Sequence, residues 1–145
     1  MQRRDPAQFI ELYALLRKRL TALAAQAYAT IDLGHLQARF LKRIGNGERI
    51  SQAELARRTE TDPTLTGRVL QTLIERGMVR RERSDEDRRE YVIELDTEGK
   101  RMRNKVEKLN GELEAQLGRM LDERDLKDFE RIVTKILEAI DEPRE

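Results

Sequence analysis

Two helix starts stand eleven residues apart in the middle of the chain, at Ser51 and Asp62. Ser51-Gln52-Ala53-Glu54 has the pattern of a capping box: the Ser51 hydroxyl is placed to accept from the Glu54 amide, and the Glu54 carboxylate is expected to reach back to the Ser51 amide. Asp62-Pro63 sets a capping side chain before a proline at the first helical position. Between the two starts there is room only for a short helix carrying Leu55 and Ala56, ending near Arg58, and for a turn over "TETDP". The second helix is expected to run to about Arg76 and to stop at Gly77. Two helices joined so tightly are held to a helix-turn-helix.

Set at 100° intervals, the second helix has an apolar side of Leu65, Val69, Leu70, Leu73 and Ile74 and an outer side of Thr64, Gly67, Arg68, Gln71, Thr72 and Glu75. "MVRRER" and "EYVIEL" then read as two short strands around a loop at 84–89, a two-stranded wing. The outer side has the chemistry of a major-groove reader. Arg68 offers two donors to a guanine edge, Gln71 a donor and an acceptor to adenine, and threonine methyls meet thymine methyls. Gly67 costs about 1 kcal/mol relative to alanine inside a helix, which close approach to a DNA backbone would justify. At the tip of the wing, Arg88 and Arg89 suit the negative potential of a narrow minor groove. Asp87 is expected to turn back onto an arginine or onto loop amides and so orient these guanidiniums. Any surface helix is polar outward, so the DNA reading rests on the capped helix, the turn and the wing taken together.

The flanks are amphipathic. Asp5-Pro6 opens a first helix with Phe9, Leu12, Leu16, Leu20 and Leu23 at helical spacing; a second, expected to begin near Asp32, carries Leu33, Leu36, Phe40 and Ile44 and stops at "GNG". Asp96 or Thr97 caps a long helix whose Met102, Val106, Leu109, Leu113 and Met120 make a heptad seam with Gln116 left polar. A last helix after Asp122 carries Leu126, Phe129, Val133, Ile136 and Ile140, and residues 141–145 read as a frayed tail. Such stripes call for a second copy to cover them. From Thr97 to Leu117 the long helix would span roughly 30 Å, comparable to the ~34 Å between successive major grooves.

Composition removes most other functions. Charged residues make up 39% and aromatics 4%, yet the helical spacing of the apolar 38% argues against disorder. With no cysteine and one histidine, His35, a thiolate site or a multi-histidine metal centre is excluded within one chain. No nucleophile–base pair or phosphate loop suggests an enzyme, and no cofactor is expected. Net charge is +1 but uneven: residues 1–50 carry nine basic and four acidic side chains, net +5, whereas residues 91–145 carry eleven and fifteen, net −4. No apolar run reaches the ~20 residues of a membrane span, and "MQRRDPAQF" lacks the apolar segment of a signal peptide. A cytoplasmic protein without a membrane partner is expected.

The stretch "SQAELARRTETDPTLTGRVLQTLIERGMVRRERSDEDRREYVIELDTEGKRM", Ser51 to Met102, resembles the MarR family of winged helix-turn-helix transcriptional regulators. "DEDRR" before an apolar strand and "L-x-T-E-G" carries most of the likeness; "ELARR", "DPT" and "LIERGMVRR" follow the same order. The resemblance implies a mainly α fold, one domain over 1–145: helices in 1–30 and 97–145 intertwine as a dimerisation region around a DNA-binding lobe at 31–96. It implies a homodimer on a pseudo-palindromic double-stranded operator, acting as a repressor released by a small aromatic or phenolic effector. Thr64, Arg68, Gln71 and Thr72 match recognition-helix positions, Arg88 and Arg89 the wing arginines, and Ser51 and Gln52 a phosphate-contacting position. Gly67 stands where a hydroxyl residue is common. The effector residues are unassigned; Tyr13, Arg17, Tyr28 and His35 lie on helices that could line a cleft. The alternative is a winged-helix dimer that engages a protein partner and has lost DNA binding.

Overall fold

The computed structural model describes residues 3–143. In chain order its elements are α1 (Pro6–Ala29), α2 (His35–Arg43), β1 (Ile50–Ser51), α3 (Gln52–Thr59), α4 (Pro63–Glu75), β2 (Val79–Arg83), β3 (Tyr91–Leu95), α5 (Thr97–Met120) and α6 (Glu123–Asp141). The fold is mainly α with a small antiparallel sheet. That sheet has three strands where two were expected: β1 pairs with β3 through Ile50↔Ile93 and Ser51↔Val92, giving the order β1-β3-β2. A two-residue strand has no alternation to read, and Ile50 joins it by burying its own side chain.

Local chemistry sets the boundaries. Asp5 caps α1 by accepting from the Ala7 amide at 3.0 Å. Asp32 is not a helix start; it sits at φ 55 in a turn, and α2 begins three residues later, where Gln37 accepts from the Gly34 amide at 3.1 Å. Ser51 caps α3, its hydroxyl accepting from the Glu54 amide at 3.0 Å. The return bond expected of Glu54 does not form, because its carboxylate is taken by Arg57 at 2.6 Å and Arg58 at 3.5 Å. The helix closes through Glu60 at φ 49, where the Thr61 amide donates back to Ala56 at 3.0 Å. Asp62 caps α4 by accepting from the Leu65 amide at 3.0 Å. Gly77 ends it at φ +72, with Met78 donating to Leu73 at 2.9 Å and Gly77 to Ile74 at 3.0 Å, a Schellman closure. The frayed tail expected at 141–145 lies partly outside the described residues; α6 continues to Asp141.

The chain divides after Asn110 into two compact units. The first holds a contiguous core in which Phe40 and Leu41 from α2, Ile44 just after it, Leu55 from α3, Leu70 and Leu73 from α4, and Ile93 and Leu95 from β3 are fully buried. Tyr28 of α1 and Met102 and Val106 of α5 belong to the same core, so its packing crosses residues 30 and 96, where the sequence reading divides lobe from dimerisation helices. Thr66 is buried on α4 as well; its hydroxyl donates to the Asp62 carbonyl at 2.8 Å, which satisfies it without a side-chain partner. Gly99 lets α5 dock. A Cβ there would lie 1.9 Å from the Met78 carbonyl oxygen, which also accepts from the Asp96 amide at 2.9 Å. In the second unit α6 buries none of its residues, and Leu126, Phe129, Ile136 and Ile140 all stand in solvent. On α1, residues 6–23 are likewise exposed, Phe9, Leu12, Leu16, Leu20 and Leu23 among them.

Candidate nucleic-acid interface

The outer side of α4 is built from its cap outward. With Asp62 and Pro63 fixing the first turn, Thr64, Arg68 and Gln71 follow at i, i+4 and i+7 and form one exposed stripe. Arg68 makes no ion pair among the described residues, so its guanidinium is open to an external acceptor. Thr72 is half-buried and its hydroxyl donates to the Arg68 carbonyl at 3.2 Å. Gly67 faces α3: an added Cβ would meet only Gln52 Nε2, at 3.6 Å, an ordinary contact. No neighbour among the described residues therefore requires glycine at that position. Gln52 Oε1 is buried without a hydrogen-bond partner among the described residues.

The wing alternates along its strands. Val79, Arg81 and Arg83 of β2 lie opposite Leu95, Ile93 and Tyr91 of β3 and share one face. Near the core that face is Val79, Ile93 and Leu95; farther out it becomes Arg81 and Arg83 stacked on Tyr91, at 4.8 Å and 4.5 Å from the ring centre. The opposite face carries the ion pairs Arg80–Glu94 and Arg49–Glu82, both at 3.5 Å. The tip is closed by Ser84 donating from its amide to Glu90 at 2.9 Å and by Arg83 donating to the Arg88 carbonyl at 2.8 Å. Asp87 accepts from the Arg89 amide at 3.0 Å and from the Arg89 guanidinium at 3.2 Å. Those bonds, the amide first, hold its carboxyl below the usual aspartate range. Arg89 is thus held at its amide and its guanidinium by Asp87, with its side chain 91% exposed, while exposed Arg88 pairs with no acid among the described residues.

Between α3, the start of α4 and the wing lies an open cleft of about 510 Å³, walled by Gln52, Ala56, Arg57, Pro63, Arg89 and Tyr91. It brings Gln52 and Arg89, 37 positions apart, to one concave surface. Arg57 is the cation on the α3 side, and through its bonds it lowers the Glu54 carboxyl more than any other neighbour. The Ser51 hydroxyl is committed to the Glu54 amide, which leaves its remaining lone pair and proton for an outside partner. Two contributors escaped the sequence reading. Arg57 looked like one more charge on a solvated helix, and the Arg81–Tyr91–Arg83 stack was visible only as an approximate alternation. Counting back by twos from Leu95 through Ile93 to Tyr91 was the available signal.

Of the residues considered for an effector, Tyr28 and His35 meet, with ring centres 6.1 Å apart. The Tyr28 hydroxyl donates to Asn110 Oδ1, and burial pushes its pKa up. Tyr13 and Arg17 lie on the exposed part of α1. Among the described residues no three His, Cys, Asp or Glu side chains are grouped to hold a metal ion, and no helix is long and apolar enough to cross a membrane.

Residues 31–90, from the turn before α2 through the wing tip, match the model of the MarR family. A solved MarR transcriptional regulator from Methanosarcina mazei Go1 superposes with a TM-score of 0.76 at 25% identity, over 91% of this chain and 96% of that one. The matched segment, 60 of the 145 residues, is similar to that family. Two further MarR-type structures share the fold. A mutant Escherichia coli MarR complexed with operator DNA has a TM-score of 0.80 at 23% identity, covering 88% of this chain and 91% of its own. The Staphylococcus aureus MepR–DNA complex has a TM-score of 0.84 at 19% identity, covering 91% and 97%. None of the curated proteins compared matches the sequence. The matched segment spans α2, β1, α3, α4 and β2.

Proposed function

We propose that this chain is a DNA-binding transcription regulator of the MarR family that works as a homodimer on an inverted-repeat operator. The observation that carries the reading is the open stripe of Thr64, Arg68 and Gln71 on a doubly capped α4, beside a wing whose tip presents Arg88 and Arg89. The stripe supplies donors and acceptors for base edges, and the tip supplies cations for a minor groove. Ser51 and Gln52 at the start of α3, and Arg57 in its last turn, face the same cleft or border it and supply phosphate contacts. That two relatives of this fold are seen on DNA supports the assignment.

The exposed apolar residues of α1 and α6 support the dimer. Among the described residues seventeen large hydrophobics stand exposed, fourteen of them on these two helices, more than a lone soluble chain ordinarily leaves in water. A dimer seated across a promoter keeps polymerase off it, so the regulator acts as a repressor in the cytoplasm. A small aromatic or phenolic ligand that changes the spacing of the two lobes releases it.

Selection of bound duplexes from a random library tests the reading. It returns an inverted repeat, and affinity for that duplex falls steeply as salt rises, because phosphate contacts release counterions. Arg88→Ala with Arg89→Ala lowers that affinity at least tenfold without altering the fold. A selection that returns no enriched repeat refutes the reading and favours the protein-interaction alternative, for which Gly67 and the acids Asp85, Glu86 and Asp87 of the wing speak.

A further inference from the structure

Gln71 sits between two partners of opposite character. Its amide nitrogen donates to Glu75 Oε1 at 3.3 Å, and its amide oxygen accepts from Arg81 Nη2 at 3.3 Å. A carboxylate only accepts and a guanidinium only donates. Turning the amide over would set its oxygen against Glu75 and its NH2 against Arg81, and both bonds would be lost. The pair therefore selects one of the two amide orientations that a free glutamine samples. Arg81 is itself held: it stacks on the Tyr91 ring at 4.8 Å, and its place on the Val79 face of β2 directs it toward α4. One N–H and one acceptor position of Gln71 stay unused and open to an external base edge.

We propose that Glu75 and Arg81 are positioning residues that fix the donor–acceptor order Gln71 shows to the groove, and so determine base preference at one position of each half-site. The proposal rests on the DNA-binding reading above. It makes the wing part of the base-reading device through Arg81 and Tyr91, in addition to any contact the wing makes with the duplex. A well-placed bidentate amide discriminates adenine by roughly tenfold or more. Removing one guide frees a side chain that the complex must then immobilise, which blunts the preference by about three- to tenfold.

The two guides carry opposite charge, and this provides the test. Glu75→Gln removes an acid and Arg81→Gln removes a base, so electrostatics alone would strengthen total DNA affinity in the first variant and weaken it in the second. Random-duplex selection with the wild type, Gln71→Ala, Glu75→Gln and Arg81→Gln separates the effects. The expected result is that all three variants lose preference at the same base position while affinity moves in opposite directions for the two guides. Tyr91→Phe, which keeps the ring, retains the preference, and Tyr91→Leu loses it. Thermal unfolding of each variant identifies any that merely fails to fold, and the Glu75 and Tyr91 variants then stand in for Arg81. If the wild type enriches a repeat but Gln71→Ala alters no position, or either guide variant keeps full preference where Gln71→Ala loses it, the positioning proposal is overturned and the DNA-binding reading stands. If the wild type enriches nothing, both fall.

Discussion

Two glycine-to-alanine substitutions should move stability in opposite directions, for reasons that can be worked from their surroundings. At Gly99 the new Cβ would stand 1.9 Å from the Met78 carbonyl oxygen, whereas carbon and oxygen in contact sit about 3.3 Å apart. The α5–β2 junction must open by more than an ångström. The obstacle is backbone, so no side chain can swing clear. Opening costs the Asp96-to-Met78 hydrogen bond, about 1 kcal/mol, and the strain of forcing apart packed Leu95 and Met102 adds about 1–3 kcal/mol. A loss of about 2–4 kcal/mol is expected. At Gly67 the same methyl meets only Gln52 Nε2 at 3.6 Å, and the helix gains about 1 kcal/mol from the better former. Urea unfolding at fixed protein concentration measures both through the shift in midpoint at constant slope. Gly67→Ala carries a second readout: if the glycine admits the duplex, operator affinity falls about tenfold while stability rises. A Gly99→Ala protein within about 0.5 kcal/mol of wild type, or a destabilised Gly67→Ala protein, would refute the packing argument. A Gly67→Ala protein with full operator affinity would refute the close approach.

Asp87 gives a pH prediction. Its carboxyl is held below the ordinary aspartate value by the Arg89 amide and guanidinium, so the stabilisation of the wing tip is complete above the ordinary value and is lost only as pH falls through the lower, folded one. The Arg89 amide resonance should titrate with a midpoint below about 3.9; a midpoint at or above it would deny the contact. If α6 closes the proposed homodimer, Phe129→Glu with Ile136→Glu yields single chains in sedimentation yet leaves the winged lobe folded by circular dichroism, since α6 puts no residue into the buried core; a double variant that stays dimeric would place the interface elsewhere.

How far the sequence could be read depended on the range of the interaction. Caps are local: Ser51, Asp62 and Asp122 each accept from an amide three residues on, so a short window contains the whole cause. Asp32 looked like a cap of the same kind and is a turn residue at φ 55, because Gly34 and Gln37 offer the next helix a better start. The Glu54 carboxylate lay within reach of two arginines one turn on, and charge prevailed over the return bond to Ser51. Strand β1 depended on a partner, Ile93, more than forty residues away. The heptad seam of α5 misled in another way. Met102 and Val106 serve the lobe core, whereas Met120 on the same seam is 73% exposed, so one periodic stripe has two different uses. The outward stripe of α4 was legible because a helix alternates its faces on a fixed angle. The partners of Gln71 were not, because Arg81 reaches it from a strand whose register the sequence does not state.

The central claim is that two copies present their winged lobes together to one duplex. Sedimentation of the protein with a selected inverted repeat, and with either half-site alone, tests it most directly. The account predicts two chains on the full repeat at concentrations where a single half-site is barely occupied. One chain per duplex, with equal affinity for the half-site and the whole, would contradict it.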